Sequence, residues 1–400
     1  MILRPDSYSD SSGQPRLLIL VTEYSYFLSH KLPLVSAASE AGFDVIVAAR
    51  CEKGAMLVPP AGYAFTLVPV PWRRTGSIVT AVLRLIPDVL RIRSVFADVR
   101  PDVVHCISLK PAIIGALAAY RQRVQVIHSI NGFGFVFYAK SRLARFVQIC
   151  CGFILRRSVT SNAGRIILQN RDDLRLVAED FGVPDSKLSL IRGSGIDPLG
   201  YESTPEPVGP SITFLMLSRL LYMKGIAVAI DAFKILKERG VNATLVICGV
   251  PDPSNPSSIP QDVLDAWSQI PGVTFRGQLE DVKSALRDAH VVVHPALGGE
   301  GLPKALLEAA AMARPMIASD IAGNREIVLH EQTGLLVPPG DAEALANALE
   351  RMSIESESRR FWGDAAREKV SADFSVEVVR QAHIEVYAGC RAKLGRSLDN

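Results

Sequence analysis

The sequence predicts an α/β protein built from two doubly wound domains, and three observations carry that expectation. Short β-branched apolar runs alternate with longer helix-patterned runs along nearly the whole chain, the mark of βαβ units and parallel sheets covered on both faces. The alternation breaks once, at the Pro/Gly-rich polar stretch Asp197–Ser211, and then restarts. The chain has 400 residues, which is too long for one ordinary core.

Taken in order, residues 1–15 read as a disordered lead-in. Strands are expected at Leu17–Val21, Asp44–Ala49, Thr66–Val70, Val103–Ile107, Gln125–Ile130, Arg165–Gln169 and Leu188–Ile191. Helical patterns fall between them at His30–Ala41, Ser77–Val99, Pro111–Tyr120, Leu143–Arg157 and Asp172–Asp180. After the break, strands are expected at Ile212–Leu217, Thr244–Cys248, Val273–Phe275, His290–His294, Met316–Ala318 and Leu335–Val337. The accompanying helices are Gly225–Arg239, Asp262–Gln269, Val282–Ala289, Lys304–Ala313 and Ala342–Met352, with a closing pair at Ser356–Ser371 and Val376–Ala392. The expected boundaries are therefore a first domain at 16–197, a linker at 198–211, a second domain at 212–375, and a tail at 376–400 that returns to the first domain. In such sheets, ligands bind beyond the carboxyl ends of the strands.

Composition narrows the class. Hydrophobic residues make up 48% and charged residues 21%, a globular balance, and a net charge of +3 gives no case for nucleic acid. The six cysteines show no metal-ligand spacing, so they read as small buried hydrophobes of a reducing compartment. The N-terminal stretch is polar, without the apolar core of a signal peptide. No run approaches the roughly 20 apolar residues needed to span a bilayer.

Chemistry concentrates in Val291–Met312, VVVHPALGGEGLPKALLEAAAM. A buried strand leads into Gly298, Gly299 and Gly301, which permit a sharp turn and close approach of a ligand. Pro303 suits a first helical position, and the helix behind it offers free N–H groups and an aligned dipole to an anion. Glu300 and Glu308 flank this turn, and carboxylates accept hydrogen bonds from vicinal hydroxyls, so a sugar nucleotide is the indicated ligand. Strand Ile212–Leu217 runs into Arg219 and Lys224, suited to a diphosphate, with Gly225 opening a helix. Either cation alone reads equally as a solvated surface charge. Gly249 and the pair Arg276-Gly277 end two further strands, where backbone contact to a nucleobase and a plain turn are both open readings.

These residues resemble a known group. SRLLYMKG followed by EGLPKALLEAAA looks like the retaining glycosyltransferases of family four, which have the GT-B fold of two Rossmann-like domains facing across a cleft. The likeness runs from Leu17 to about Tyr387 and includes GSGID at Gly193–Asp197, AGNREIV at Ala322–Val328 and TGLLVPPGD at Thr333–Asp341. It implies that Arg219 and Lys224 bind the donor diphosphate, that Glu300 contacts the donor sugar, that the backbone of Gly301, Leu302 and Pro303 meets the phosphates, and that Glu308 holds the ribose hydroxyls. One departure is an extra glycine in Pro295–Gly299, which places the Glu300 side chain in question.

In the first domain, VIHSINGFGFVF at Val126–Phe137 looks like the HGLGFVF-type segment of transferases that extend lipid-linked oligosaccharides, with Asn131 where that subgroup often has His or Thr. Gly132 and Gly134 fit a close-approach loop, and His128 is a candidate catalytic group, a structural strand histidine being the alternative. Glu23, His30 and Lys31 follow the first strand, where GT-B enzymes meet their acceptor; a structural or capping role is the alternative for each. Two basic-apolar segments, Trp72–Arg100 and Phe133–Arg157, include Arg73, Arg74, Arg84, Lys140, Arg142 and Arg145 among aliphatic and aromatic residues. Each alone reads as an ordinary amphipathic helix; together with the subgroup likeness they point to peripheral contact with the inner face of the plasma membrane.

The resemblance thus implies retaining transfer of a hexose or N-acetylhexosamine from a nucleotide diphosphate sugar, UDP by default, to a lipid-linked glycan acceptor in polysaccharide synthesis. No Asp-x-Asp occurs, so no metal and no cofactor are expected. A GT-B sugar-nucleotide epimerase and a non-catalytic nucleotide-sugar-binding protein remain rival readings. A dinucleotide oxidoreductase predicts GxGxxG after the first strand, which Val21–Ser29 lacks.

Overall fold

The computed structural model describes residues 13–51, 58–72, 78–133, 137, 142–161, 164–253 and 255–396. Most of the expected lead-in, together with Arg73, Arg74, Gly134 and Lys140, lies outside them. The chain divides into two compact units, Met1–Gly195 with Val376–Asn400, and Ile196–Ser375.

The first unit is one parallel sheet of β1 (Arg16–Glu23), β2 (Asp44–Arg50), β3 (Thr66–Pro69), β4 (Val103–Ile107), β5 (Gln125–Ile130), β6 (Arg165–Leu168) and β7 (Leu188–Leu190), in the order β3-β2-β1-β4-β5-β6-β7. Side chains alternate across it with period two. Leu18, Leu20, Ile46, Val104 and Ile166 enter one core, whereas Leu17, Ile19, Val45, Val103 and Ile167 enter the other. Burial on both faces is why these strands read as continuous apolar runs. The helices are α1 (Tyr24–His30), α2 (Pro33–Glu40), α3 (Ile78–Val99), α4 (Leu109–Ala118), α5 (Arg142–Ser161) and α6 (Arg171–Glu179). The single helix expected at His30–Ala41 is two: the chain breaks at Lys31-Leu32 and restarts with Pro33 in its first turn. Proline has no N–H to continue the earlier helix, but its fixed φ suits a helix start.

The second unit repeats the plan with β8 (Ile212–Leu217), β9 (Ala243–Cys248), β10 (Val273–Phe275), β11 (Val291–His294), β12 (Met316–Ser319) and β13 (Gly334–Val337), all parallel in the order β10-β9-β8-β11-β12-β13. Its helices are α7 (Ile226–Glu238), α8 (Gln261–Ser268), α9 (Val282–Arg287), α10 (Lys304–Ala311), α11 (Ala322–Ile327), α12 (Ala342–Ile354) and α13 (Ser356–Asp373). Helix α11 was not read from the sequence; it is too short to show a period. The last helix, α14 (Val376–Arg396), belongs to the first unit, where Val379, Tyr387 and Cys390 join the core on the β1 odd-residue face.

Residues 198–211, expected as a linker, are laced to the second unit. Arg314 donates to the Thr204 carbonyl and hydroxyl at 2.8 Å, Arg359 grips Glu206 through two bonds of 2.9 Å, and His290 bonds the Pro207 carbonyl at 3.0 Å. A proline-rich segment has few N–H groups for regular structure, so side-chain donors supply its partners.

The first unit buries an imidazole network at its centre. His105 lies between Tyr387 (2.8 Å) and Ser129 (2.6 Å), and the His383 ring stands 6.2 Å away. Burial holds His105 well below the usual histidine range and brings His128 down to about 3 and His383 to about 4. Their folded pKa values are depressed, so the unfolded chain binds more protons below about pH 6.5 and stability falls as pH drops through that window. Denaturant unfolding followed from pH 7 to pH 4.5 is expected to lose about 1.4 kcal/mol per pH unit for each such histidine. His383→Gln should flatten this slope; an unchanged slope contradicts the assignment.

Candidate functional site

The constellation anticipated around Glu300 forms at the carboxyl ends of β8 and β11, which are neighbours in the sheet. Past β8 the chain makes the tight turn Tyr222–Lys224 and enters α7 through Gly225, at φ +72°. A Cβ on Gly225 would stand 1.8 Å from the Pro295 carbonyl oxygen, so only glycine permits this approach. The Leu297 amide donates to the Met223 carbonyl at 2.9 Å and ties the two loops together. This contact brings the Lys224 ammonium onto the Glu300 carboxylate as a largely buried ion pair.

Glycines shape the rest of the loop. Gly298 and Gly299 have φ of +145° and +77°, which gives the added glycine a conformation that other residues rarely adopt. Gly301 is buried beneath α11, where a Cβ on Gly323 would stand 1.7 Å from the Gly301 carbonyl. The AGN segment thus clamps the loop from the opposite side. Pro303 is the N-cap residue of α10, and its carbonyl accepts from the amides of Leu306 and Leu307. No side chain caps this helix, and its first turn has no acidic residue. Uncapped first-turn amides next to Lys224 and behind Leu302-Pro303 are a place where an oxyanion is stabilised.

The charges are set by burial and by one another. Burial alone would raise the Glu300 carboxyl, but Lys224, with His294 and Arg219 adding to it, holds it below the usual range. His294, at the end of β11, is brought down to about 4 by burial, and its Nε2 is buried with no hydrogen-bond partner. Glu308, on the second turn of α10, is buried; burial raises its carboxyl, opposed by Lys304 at 3.5 Å and by the Tyr201 hydroxyl at 2.9 Å. Arg219 is half-exposed and pairs with Asp252 at 2.8 Å. Gly249 donates to the Gly277 carbonyl at 2.6 Å, and a Cβ on it would stand 1.8 Å from the Ser218 carbonyl. Arg276 is exposed, with Asp288 at 3.9 Å. The second unit therefore brings Lys224, Glu300, Gly301 and Pro303 together at adjoining strand ends. Asp252, His294, Tyr201 and Gly323 were missed. His294, at a strand end before a proline, and Gly323, inside the AGNREIV segment, carried a readable signal.

In the first unit the strand-end residues form a smaller cluster. Asn131 donates to the Tyr26 hydroxyl at 2.8 Å and to Ser108 at 3.3 Å, and accepts from Gln169 at 2.8 Å. The half-buried His30 ring stacks on Tyr26 with centroids 4.7 Å apart, and Gly132 follows Asn131 at φ +127°. Glu23 is held by Arg50 through contacts of 2.8 and 3.1 Å, which gives it a structural engagement at the end of β1. His128 does not join this cluster. It is fully buried within β5, facing α5, with Nε2 3.0 Å from the Ser158 hydroxyl. A neutral imidazole sealed in the core cannot meet a reacting sugar, so the catalytic reading of His128 is replaced by the structural one. Tyr26, Ser108 and Gln169 were not anticipated.

The fold belongs to a known class. Residues 32–193 match the glycosyl transferase 4-like domain, and residues 211–354 match the glycosyl transferases group 1 domain. The chain belongs to this glycosyltransferase family and has its GT-B architecture of two parallel α/β units. Among curated proteins, it is 33% identical over 54% of its length to 56% of the putative colanic acid biosynthesis glycosyltransferase WcaL of Escherichia coli (strain K12), and 30% identical over 52% of its length to 52% of the amylovoran biosynthesis glycosyltransferase AmsK of Erwinia amylovora. The match spans about half the length of these relatives. It is also 26% identical, over 63% of its length and 66% of the relative's, to an Escherichia coli UDP-Gal:alpha-D-GlcNAc-diphosphoundecaprenol alpha-1,3-galactosyltransferase. Of solved structures, sucrose-phosphate synthase from Thermosynechococcus elongatus superposes with a TM-score of 0.78 at 20% identity, covering 95% of this chain and 100% of that one. Anabaena HepE in complex with UDP and glucose gives 0.69 at 16% identity, covering 93% and 98%.

The clamp on Gly301 is open to test. Gly323→Ala forces the Gly301 loop to move, and overpacking of this kind costs about 1–3 kcal/mol. Thermal unfolding should show that loss together with weakened nucleotide binding; if neither changes, α11 does not set the loop.

Proposed function

We propose that the chain is a retaining glycosyltransferase that moves a hexose or N-acetylhexosamine from a UDP-linked donor to a lipid-linked glycan acceptor in cell-surface polysaccharide synthesis. The observation that carries this reading is the convergence of Lys224, Glu300 and the uncapped N-terminus of α10 at adjoining strand ends, with buried Glu308 on the same helix. Lys224, Arg219 and the backbone at Gly301–Pro303 bind the diphosphate, Glu300 holds the donor sugar, Glu308 accepts from the ribose hydroxyls, and the strand ends at Gly249 and Arg276 meet the base. In the first unit, Asn131, Gly132 and His30, with Glu23 behind them, form the acceptor side. Relatives named for colanic acid, amylovoran and diphosphoundecaprenol-linked transfer support the acceptor class.

The reaction needs no covalent enzyme intermediate. The donor's C–O bond to the diphosphate breaks, the acceptor oxygen bonds the same face of the anomeric carbon, and the acceptor proton passes to the leaving phosphate oxygen. Charge develops on that oxygen, where Lys224 and the helix amides are fixed in advance. The proposed chemistry uses neither metal nor cofactor.

Two helices of the first unit support contact with an anionic membrane surface. Helix α3 exposes Val82, Leu83, Ile86 and Leu90, and α5 exposes Leu143, Phe146, Ile149 and Phe153. Both pack against α4, and Arg84, Arg91, Arg93, Arg142, Arg145 and Arg156 accompany the apolar stripes. No helix of the described residues is long and apolar enough to cross a membrane. Exposed apolar rows flanked by arginines suit the interface of a bilayer.

Lys224→Ala and Glu308→Ala are expected to lower kcat/KM by about a hundredfold or more, the scale of removing one preorganised charge partner. EDTA should leave turnover unchanged, and NMR of the product should show the donor's anomeric configuration. Near-normal turnover in both variants, or an epimerised sugar nucleotide formed without acceptor, contradicts the proposal. For the membrane contact, the double variant Leu83→Glu, Phe146→Glu should abolish co-sedimentation with phosphatidylglycerol vesicles while leaving donor binding intact.

A further inference from the structure

Tyr201 has no part in the scheme above, yet its side chain is hydrogen-bonded to Glu308. Its hydroxyl donates to Glu308 Oε1 at 2.9 Å. Lys304, one turn earlier on α10, approaches the same oxygen at 3.5 Å. Both contacts fall on Oε1, which leaves Oε2 as the acceptor face of the carboxylate. The Tyr201 ring packs on the apolar core that includes Leu306, Leu307 and Ala310, with the Lys283 ammonium 5.0 Å from its centre.

The backbone of Tyr201 is fixed too. Its carbonyl accepts from Arg367 Nη1 at 2.7 Å, and the same nitrogen donates to the Ala311 carbonyl at the end of α10. Arg367 therefore binds Tyr201 to the helix that carries Glu308, so the phenol and the carboxylate are held in one frame. Without that hydrogen bond a glutamate on a helix samples several rotamers, each presenting its oxygens differently.

We propose that Tyr201 is a positioning residue that locks the Glu308 carboxylate with Oε2 presented to the vicinal hydroxyls of a ribonucleoside diphosphate, so that Tyr201 sets the preference for ribose over deoxyribose. The inference rests on the donor-site reading, in which Glu308 meets the ribose. A carboxylate oxygen held in place accepts from a diol without first losing rotamer freedom, and the gain appears only when the hydroxyl is present.

The test is calorimetry on the full chain with UDP, GDP and ADP, each against its 2′-deoxy counterpart. The wild type is expected to bind the ribose form of its nucleotide about tenfold more tightly, the scale of one hydrogen bond to a charged group. Tyr201→Phe keeps the ring and its packing but loses the hydroxyl. It should reduce this ratio to about twofold, raise KM for the donor about fivefold and leave kcat within about twofold. Glu308→Gln separates the two levels of the argument. If Glu308→Gln leaves the ribose preference intact, or if no nucleotide binds the wild type, the donor-site reading fails and takes the proposal with it. If Glu308→Gln removes the preference but Tyr201→Phe keeps it, the positioning role alone is overturned.

Discussion

The candidate donor site depends on one close approach, that of Gly225 to the Pro295 carbonyl. The two loops that leave β8 and β11 are pressed together there, with Cβ-excluding contact on one side and the Leu297-to-Met223 hydrogen bond on the other. Everything chemically distinctive follows from that junction. It places Lys224 on Glu300, draws Glu300 away from solvent, and leaves His294 buried at the root of the loop. Gly323 acts from the far side, so the loop is held between two backbone contacts rather than by side chains that could shift.

This arrangement has an electrostatic cost. The cost of taking Glu300 out of water is offset by the Lys224 ammonium, and removing either partner from such a pair costs about 3–5 kcal/mol. The ammonium is therefore already desolvated and oriented, as the proposed diphosphate site requires. Glu308 shows the complementary design. Burial raises its carboxyl, and its contacts with Tyr201 and Lys304 counter that effect through one oxygen only. Helix α10, which carries Glu308, begins without a side-chain cap, so no side chain competes with an anion for its opening amides.

Much of this was legible in the letters, for physical reasons. Strands buried on both faces leave unbroken apolar runs, and Val291–Val293 or Leu17–Val21 are recognisable without any partner. Glycine at positions that need left-handed φ, as at Gly225 and Gly299, marks a loop that must turn sharply. The less legible features depend on tertiary contact. Tyr201 sits in a stretch whose prolines signal a linker, and side chains far along the chain, among them His290, Arg314, Arg359 and Arg367, fix that stretch to the second unit. His128 lies near the end of a strand in the sequence and invites a catalytic reading, but helices cover both faces of β5 and its ring is sealed against Ser158. The break before Pro33 was missed because apolar spacing continues across it, although the backbone cannot.

The central claim is that a nucleotide diphosphate lies on the junction of the β8 and β11 loops. A crystal structure of the chain with bound UDP tests it most directly. The account predicts the diphosphate within hydrogen-bond distance of Lys224 Nζ and the amides opening α10, with the ribose hydroxyls on Glu308. A diphosphate bound elsewhere, with the Lys224–Glu300 pair undisturbed and Glu308 still bonded only to Tyr201 and Lys304, would contradict it.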